Sequence, residues 1–253
     1  MSQSRLRIGL IFPDLLGTYG DRGNALVLLQ RARWRNLDAE IVEVAASEPI
    51  PDSLDIYLLG GGEDAPQMAA SAGLRGSAAA IDRARANGAV VLAICAGFQL
   101  IGTSYVDAEG TVLDGLGLID VETRSGAPRC IGEVVVEPEA SLELPMVTGF
   151  ENHGGRTTLG DGVRPFGRAV VGYGNGVDGA DGALGERLIA TYLHGPVLPR
   201  NVALADRLLG WVLNEPLAPL DDVLEERLRA ERIDDALLEG MRAWWRDRKL
   251  ARG

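Results

Sequence analysis

Residues 89–102, AVVLAICAGFQLIG, decide the fold of this chain. The first six read as a buried strand. The apolar run then breaks at Cys95 and resumes at once with helical character. Small residues stand two positions to either side of the thiol, Ala93 and Gly97. A strand-to-helix nucleophile elbow needs that, because its sharp turn crowds the neighbours, and the G-x-S-x-G pattern places the nucleophile at its centre. Ala93 in place of the first glycine is a mild departure. Unpaired N–H groups and the dipole at the start of the following helix favour thiolate over thiol. Free cysteine is also among the most buried residue types, so the pentapeptide fits core filler as well as it fits a nucleophile.

Working outward, RLRIGLIF reads as a first strand, PDLLGTYGDRGN as a turn and ALVLLQRARWRN as a helix with a basic outer face. AEIVEV is a second strand, and LDIYLLGGGED a third that stops in three glycines. SAAAIDRARANG is a helix closed by Gly88 ahead of the fourth strand. Alternating strands and helices predict an α/β fold with a mostly parallel, doubly wound sheet. Beyond Gly115, GEVVVEP, LPMVTGFEN, RAVVGYGNG and RLIATYLHG are strand-like, with Gly-, Pro- and Asp-rich turns between them. They predict that the sheet continues with antiparallel or mixed strands.

NVALADRLLGWVL is an amphipathic helix, and NEPLAPL separates it from a charged helical segment. The predicted organisation is a core over residues 1–215 and a C-terminal helical extension over 216–253, packed on the core or on a partner. Leu224, Leu228, Leu237, Met241 and Trp244 form an apolar stripe at helical spacing, and Trp244 and Trp245 are candidate anchors for a partner.

The net charge of −11 argues against non-specific binding to nucleic acid or to an anionic membrane. The N-terminal apolar run is too short for a signal-peptide core or a membrane span. Two cysteines make no disulfide framework, so the expected compartment is the cytoplasm.

A thiol nucleophile needs a general base, and the chain has only two histidines, His153 in GFENHGGRT and His194 in ATYLHGPV. Both follow predicted strands and precede glycine. His194 ends the more apolar strand, which slightly favours it as the base and leaves His153 for substrate contact. The glycines of GGGED let backbone N–H groups approach a ligand. With the N–H of Ala96, those of Gly61 and Gly62 are candidates for an oxyanion hole, although a tight turn explains three glycines equally well. Cys95 and Cys130 lack the paired spacing of a zinc site, and no P-loop motif occurs, so no metal or ATP site is expected in this chain.

Taken together, LLGGGED, AICAGFQLIG and TYLHGPV resemble, in order and separation, the class I glutamine amidotransferases. The resemblance covers most of residues 5–213. GFENHGGRT is similar to the matching segment of the cobyric-acid-synthase branch. It implies a flavodoxin-like three-layer sandwich and hydrolysis of L-glutamine through a Cys95 thioester, with His194 as acid and base. Most class I members complete a triad with Glu two residues after the histidine. Here that position is Pro196, which leaves a dyad, with Glu63, Asp64 and Glu151 as candidate third partners.

The same resemblance makes Arg129 the holder of the glutamine α-carboxylate, with Arg124 and Arg156 as rivals. Cobyric acid synthases carry an ATP-dependent synthetase domain that this sequence lacks. IGLIFPDLLGTYGDRGNALVLLQRARWR resembles instead the free-standing glutaminase subunits of lipid II isoglutaminyl synthases. That implies a heterodimer with a MurT-like Mur-ligase homologue, which would bind ATP and metal and amidate the D-glutamate of lipid II. The alternatives are a glutaminase for a corrinoid or another carboxylate, or a non-catalytic binding domain.

Overall fold

The computed structural model describes residues 5–18 and 20–250, excluding the side chains of residue 64 and of 241–250. The first half is β1 (Leu6–Ile11), α1 (Arg22–Trp34), β2 (Ala39–Val44), β3 (Ile56–Leu59), α2 (Asp64–Leu74), α3 (Ala78–Ala86), β4 (Val90–Ile94) and α4 (Ala96–Ile101). There follow β5 (Ser104–Val106), β6 (Val112–Asp114), β7 (Val121–Pro138), β8 (Val147–Leu159), β9 (Gly167–Val171), β10 (Ala180–Asp181), β11 (Ala183–Gly185) and β12 (Leu188–Thr191). Three helices close the chain, α5 (Val197–Arg200), α6 (Val202–Leu213) and α7 (Val223–Leu250).

The first sheet has the order β11-β12-β4-β3-β1-β2, parallel except for β11. All five residues of β4 are buried, because helices cover both faces of the sheet and leave no polar side to alternate with. The order β2-β1-β3-β4 is the doubly wound, flavodoxin-like one, whose ligands bind outside the carboxyl ends of the strands. The ends of β3, β4 and β12 lie side by side and carry Gly60–Gly62, Cys95 and the turn to His194.

The expected continuation of the first sheet is made by β12 and the antiparallel β11 alone. β5–β10 form a second sheet, in which β7 lies between β9 and β5 and also pairs with β8, and only β11 and β12 return to the first. The reason lies in the alternation along β7. Val134 and Val136 face the main core, whereas Val135 faces the other way, against Ile233 and Ala236 of α7. A strand with two apolar faces needs a cover on each, and α7 supplies the outer one.

The first turns of the predicted stripe on α7 do not pack on the core. Leu224 and Leu228 are 63% and 53% exposed, and the helix buries Ile233 and Ala236, with Leu237 partly covered beside them. Met241, Trp244 and Trp245 lie outside the described side chains. The start of this segment is pinned by Arg31 of α1, whose buried guanidinium forms paired bonds to Asp206 and to Asp222 at 2.6–2.7 Å. Removing one member of such a buried ion network costs about 3–5 kcal/mol. Among the described residues, no helix is long and apolar enough to cross a membrane.

Candidate active site

Cys95 stands between β4 and α4 with φ 50° and ψ −103°, a conformation rare for a residue with a side chain. Strain of this kind is what a nucleophile elbow stores, and the surrounding packing holds it here. The Cys95 N–H donates to the Thr191 carbonyl at 2.9 Å, and the Gly97 N–H donates to the Gly60 carbonyl at 3.0 Å. A Cβ at Gly97 would lie 2.5 Å from the Leu59 carbonyl oxygen, so the elbow approaches β3 too closely for any other residue.

That approach sets the glycine loop against α4. A Cβ built on Gly62 would lie 3.7 Å from that of Ala96. Of the two glycines expected to donate to an oxyanion, Gly61 is committed elsewhere. Its N–H donates to the carboxylate of Asp21 at 2.8 Å. The N–H groups of Gly62 and Ala96, the other two expected donors, have no hydrogen-bond partner among the described residues. Asp21 is buried, and desolvation pushes its pKa up to about 6 against the pull of the Gly61 N–H. Sequence reasoning missed Asp21. The available signal was a carboxylate between two glycines, GDRG, in the loop after the first strand, where α/β folds keep their ligands.

His194 follows β12 and is bound to the second sheet through its backbone. Its N–H donates to the Phe150 carbonyl at 2.8 Å, and its carbonyl accepts from the Phe150 N–H at 3.2 Å. Gly195 then turns the chain at φ 107°, which needs glycine. The imidazole is buried, and its pKa is driven down to about 3, first by desolvation and then by His153 and by Arg129. It is neutral at physiological pH.

His153 lies beneath the site. It is buried, stacked on Tyr192 at 3.7 Å between ring centroids, and its Nδ1 donates to the Gly155 carbonyl at 3.1 Å. Glu151, fully buried, accepts from the N–H groups of Tyr173 (2.7 Å) and Gly174 (3.0 Å) and stands 3.7 Å from His153 Nε2. Among the candidate third partners, Glu151 is thus spent on two amides and lies near His153 without a hydrogen bond to it. Glu63 is exposed at the start of α2, and the side chain of Asp64 lies outside the described residues. Pro196 packs on the start of α1, where a Cβ at Gly23 would meet its Cγ at 2.6 Å.

Tyr192 ties the two sheets together under the elbow. Its hydroxyl bonds Thr157 Oγ1 at 2.7 Å and accepts from Gln99 Nε2 at 3.3 Å, and Gln99 Oε1 accepts from Gln67 at 2.7 Å. Burial raises the pKa of the phenol, so it stays protonated.

The three arginines separate clearly. Arg129 sits in the irregular part of β7 between Ser125 and Cys130. Its Nε donates to Asn152 Oδ1 at 2.6 Å and its Nη2 to the Asn152 carbonyl at 3.1 Å, which fixes the guanidinium plane and leaves further N–H groups to bind a ligand. Its charge reaches His194. Arg156 is spent on the carbonyls of Gly154, Gly155 and Pro128. Arg124 is exposed and 3.9 Å from Glu122. No group of three or more His, Cys, Asp or Glu that could hold a metal ion occurs among the described residues.

Solved structures share this fold, among them one described as a glutamine amidotransferase. It superposes with a TM-score of 0.57 at 18% identity, covering 81% of this chain and 98% of its own. PurLQS from Thermotoga maritima gives a TM-score of 0.57 at 17% identity, covering 83% and 98%. At such identities the likeness concerns the fold. The chain belongs to the CobB/CobQ-like glutamine amidotransferase domain family, whose model matches residues 7–202. Within that family it is similar to the lipid II isoglutaminyl synthase (glutamine-hydrolyzing) subunit GatD of Staphylococcus aureus, 40% identical over 74% of this chain and 76% of that one. The GatD subunit of Streptococcus pneumoniae is 36% identical over 79% and 77%. Cobyric acid synthase of Cereibacter sphaeroides is 35% identical over 60% of this chain but only 31% of its own length.

Proposed function

We propose that this chain is the glutaminase subunit of a lipid II isoglutaminyl synthase. It hydrolyses L-glutamine to glutamate and ammonia, and a MurT-like Mur-ligase homologue, which binds ATP and metal, uses the ammonia to amidate the D-glutamate of lipid II. The observation that carries the chemistry is the strained elbow at Cys95, one strand away from a neutral, buried His194.

His194 takes the Cys95 proton as sulfur attacks the amide carbon, and the oxyanion is met by the N–H groups of Gly62 and Ala96. Collapse expels ammonia with the proton returned by His194. Water, deprotonated by the same imidazole, then attacks the thioester, and glutamate leaves as the thiolate recovers its proton. Arg129 holds the α-carboxylate, oriented by Asn152, and a planar guanidinium fixes direction as well as charge. His153 backs the substrate side of the site from below. Helix α7 covers the second sheet of the catalytic core through Ile233 and Ala236.

The acceptor is supported by the two GatD relatives, each matched over most of its length. The test is ammonia release from glutamine by the intact chain and by Cys95→Ala, alone and with the Mur-ligase homologue, followed by amidation of lipid II. Activity that survives Cys95→Ala would sink the nucleophile. Glutamine-dependent amidation of a corrinoid in preference to lipid II would reassign the acceptor.

A further inference from the structure

We propose that Thr191 and the buried carboxylate of Asp181 are positioning residues that hold Cys95 and His194 in register. The inference rests on the reading of those two as nucleophile and base. Thr191 is the last residue of β12 and lies beside Ile94, the last of β4. Its carbonyl accepts the Cys95 N–H at 2.9 Å, so the elbow is referenced to this residue. Its side chain controls the other half of the pair. The Thr191 hydroxyl donates to Asp181 Oδ2 at 2.5 Å and accepts from the Leu193 N–H at 3.1 Å, while Asp181 Oδ1 accepts from the Tyr192 N–H at 3.3 Å.

Where β12 leaves the sheet its amides lose their partners, and a buried amide needs another. Asp181 and Thr191 collect two in succession, at Tyr192 and Leu193, and the next residue is His194. A hydroxyl has one proton. Directed at the carboxylate, that proton leaves a lone pair for Leu193, which fixes the sense of the whole turn. Asp181, Thr191, Tyr192 and Leu193 are all buried, so water does not substitute for a missing bond. The connection runs through a single residue, from the nucleophile's backbone on one side to the base's turn on the other.

The experiment measures modification of Cys95 by acivicin, an electrophilic glutamine analogue, on the full chain, with limiting rate and half-saturating concentration read separately. Thermal unfolding confirms that each variant is folded. Thr191→Val removes the hydroxyl at constant shape. A displaced catalytic group lowers the limiting rate without weakening binding, so the expected result is about a tenfold or larger loss at a half-saturating concentration within about twofold of wild type. Thr191→Ser restores the hydroxyl and the rate. If Thr191→Val does not fold, Asp181→Asn is read in its place at about pH 8, where Asp181 is ionised, since one amide oxygen serves two donors poorly and the rate falls in the same way.

A folded Thr191→Val chain reacting at the wild-type rate, or a loss that Thr191→Ser shares, overturns the proposal. Failure of the wild-type chain to react overturns the nucleophile assignment instead.

Discussion

The backbone N–H of Gly61 donates to the carboxylate of Asp21 at 2.8 Å. This bond turns one peptide of the glycine loop away from the elbow, and Gly62, next in the chain, lies against Ala96. The loop after the first strand thereby holds the glycine loop in place beside the elbow.

Asp21→Ala removes the acceptor and leaves a buried N–H without a partner. The expected cost is about 1–3 kcal/mol of stability, read by urea unfolding. Glutamine hydrolysis should fall by more than about tenfold, because oxyanion donors act only at the correct distance. Unchanged turnover in a folded variant would show that Gly62 is placed without Asp21.

His194, with its pKa near 3, should not titrate between pH 5.5 and 8 in the folded chain. The chain has only two histidines, so nitrogen-detected NMR resolves both and His194→Gln assigns them. The sign for stability follows. Between about pH 6.5 and 3 the unfolded chain binds the proton that folded His194 refuses, so this group's contribution falls as pH drops. A midpoint near 6.5 in the folded protein would refute the picture of a desolvated imidazole.

Asp181 acts in the opposite direction. Burial raises its pKa to about 7 from an unperturbed 3.8, so the folded state holds a proton that the unfolded state has lost. Its contribution is therefore most favourable at low pH and declines as pH rises through that window, with a limiting slope of about 1.4 kcal/mol per pH unit. Unfolding of wild type and Asp181→Asn, compared from pH 4.5 to 7.5, isolates the effect. The wild type should lose stability relative to the variant as pH rises. A constant difference would mean that Asp181 is ionised throughout.

Arg129→Lys should raise KM for glutamine about tenfold with a smaller change in kcat, since lysine cannot reproduce a planar, paired contact to a carboxylate. Arg156→Lys should act mainly on stability, because Arg156 binds three backbone carbonyls. The reverse pattern in steady-state kinetics would exchange their roles.

Most of the elements were legible because their signals are local. AEIVEV is β2 without a change of boundary, and NVALADRLLGWVL holds α6. The elbow was legible from small residues around one cysteine, whose backbone is strained as a sharp turn requires. The second sheet was not, since a strand-like pattern on β7 and β8 does not specify which sheet the strands join. The face of α7 was misread for a related reason. Leu224 and Leu228 have the right spacing for burial, but the apolar contacts of the helix with the sheet are made by Ile233, Ala236 and Leu237.

By itself the sequence determined the doubly wound order of the first half, the strained thiol and the two histidines, because periodicity, glycine placement and residue chemistry act over a few neighbouring positions. Only the tertiary structure decided that the Gly61 N–H is spent on Asp21, that Arg156 is spent on backbone carbonyls, and that Thr191 bonds both the Cys95 N–H and Asp181. Those depend on hydrogen bonds between residues such as Asp21 and Gly61, or Asp181 and Thr191, far apart in the chain and brought together only by the folded sheets.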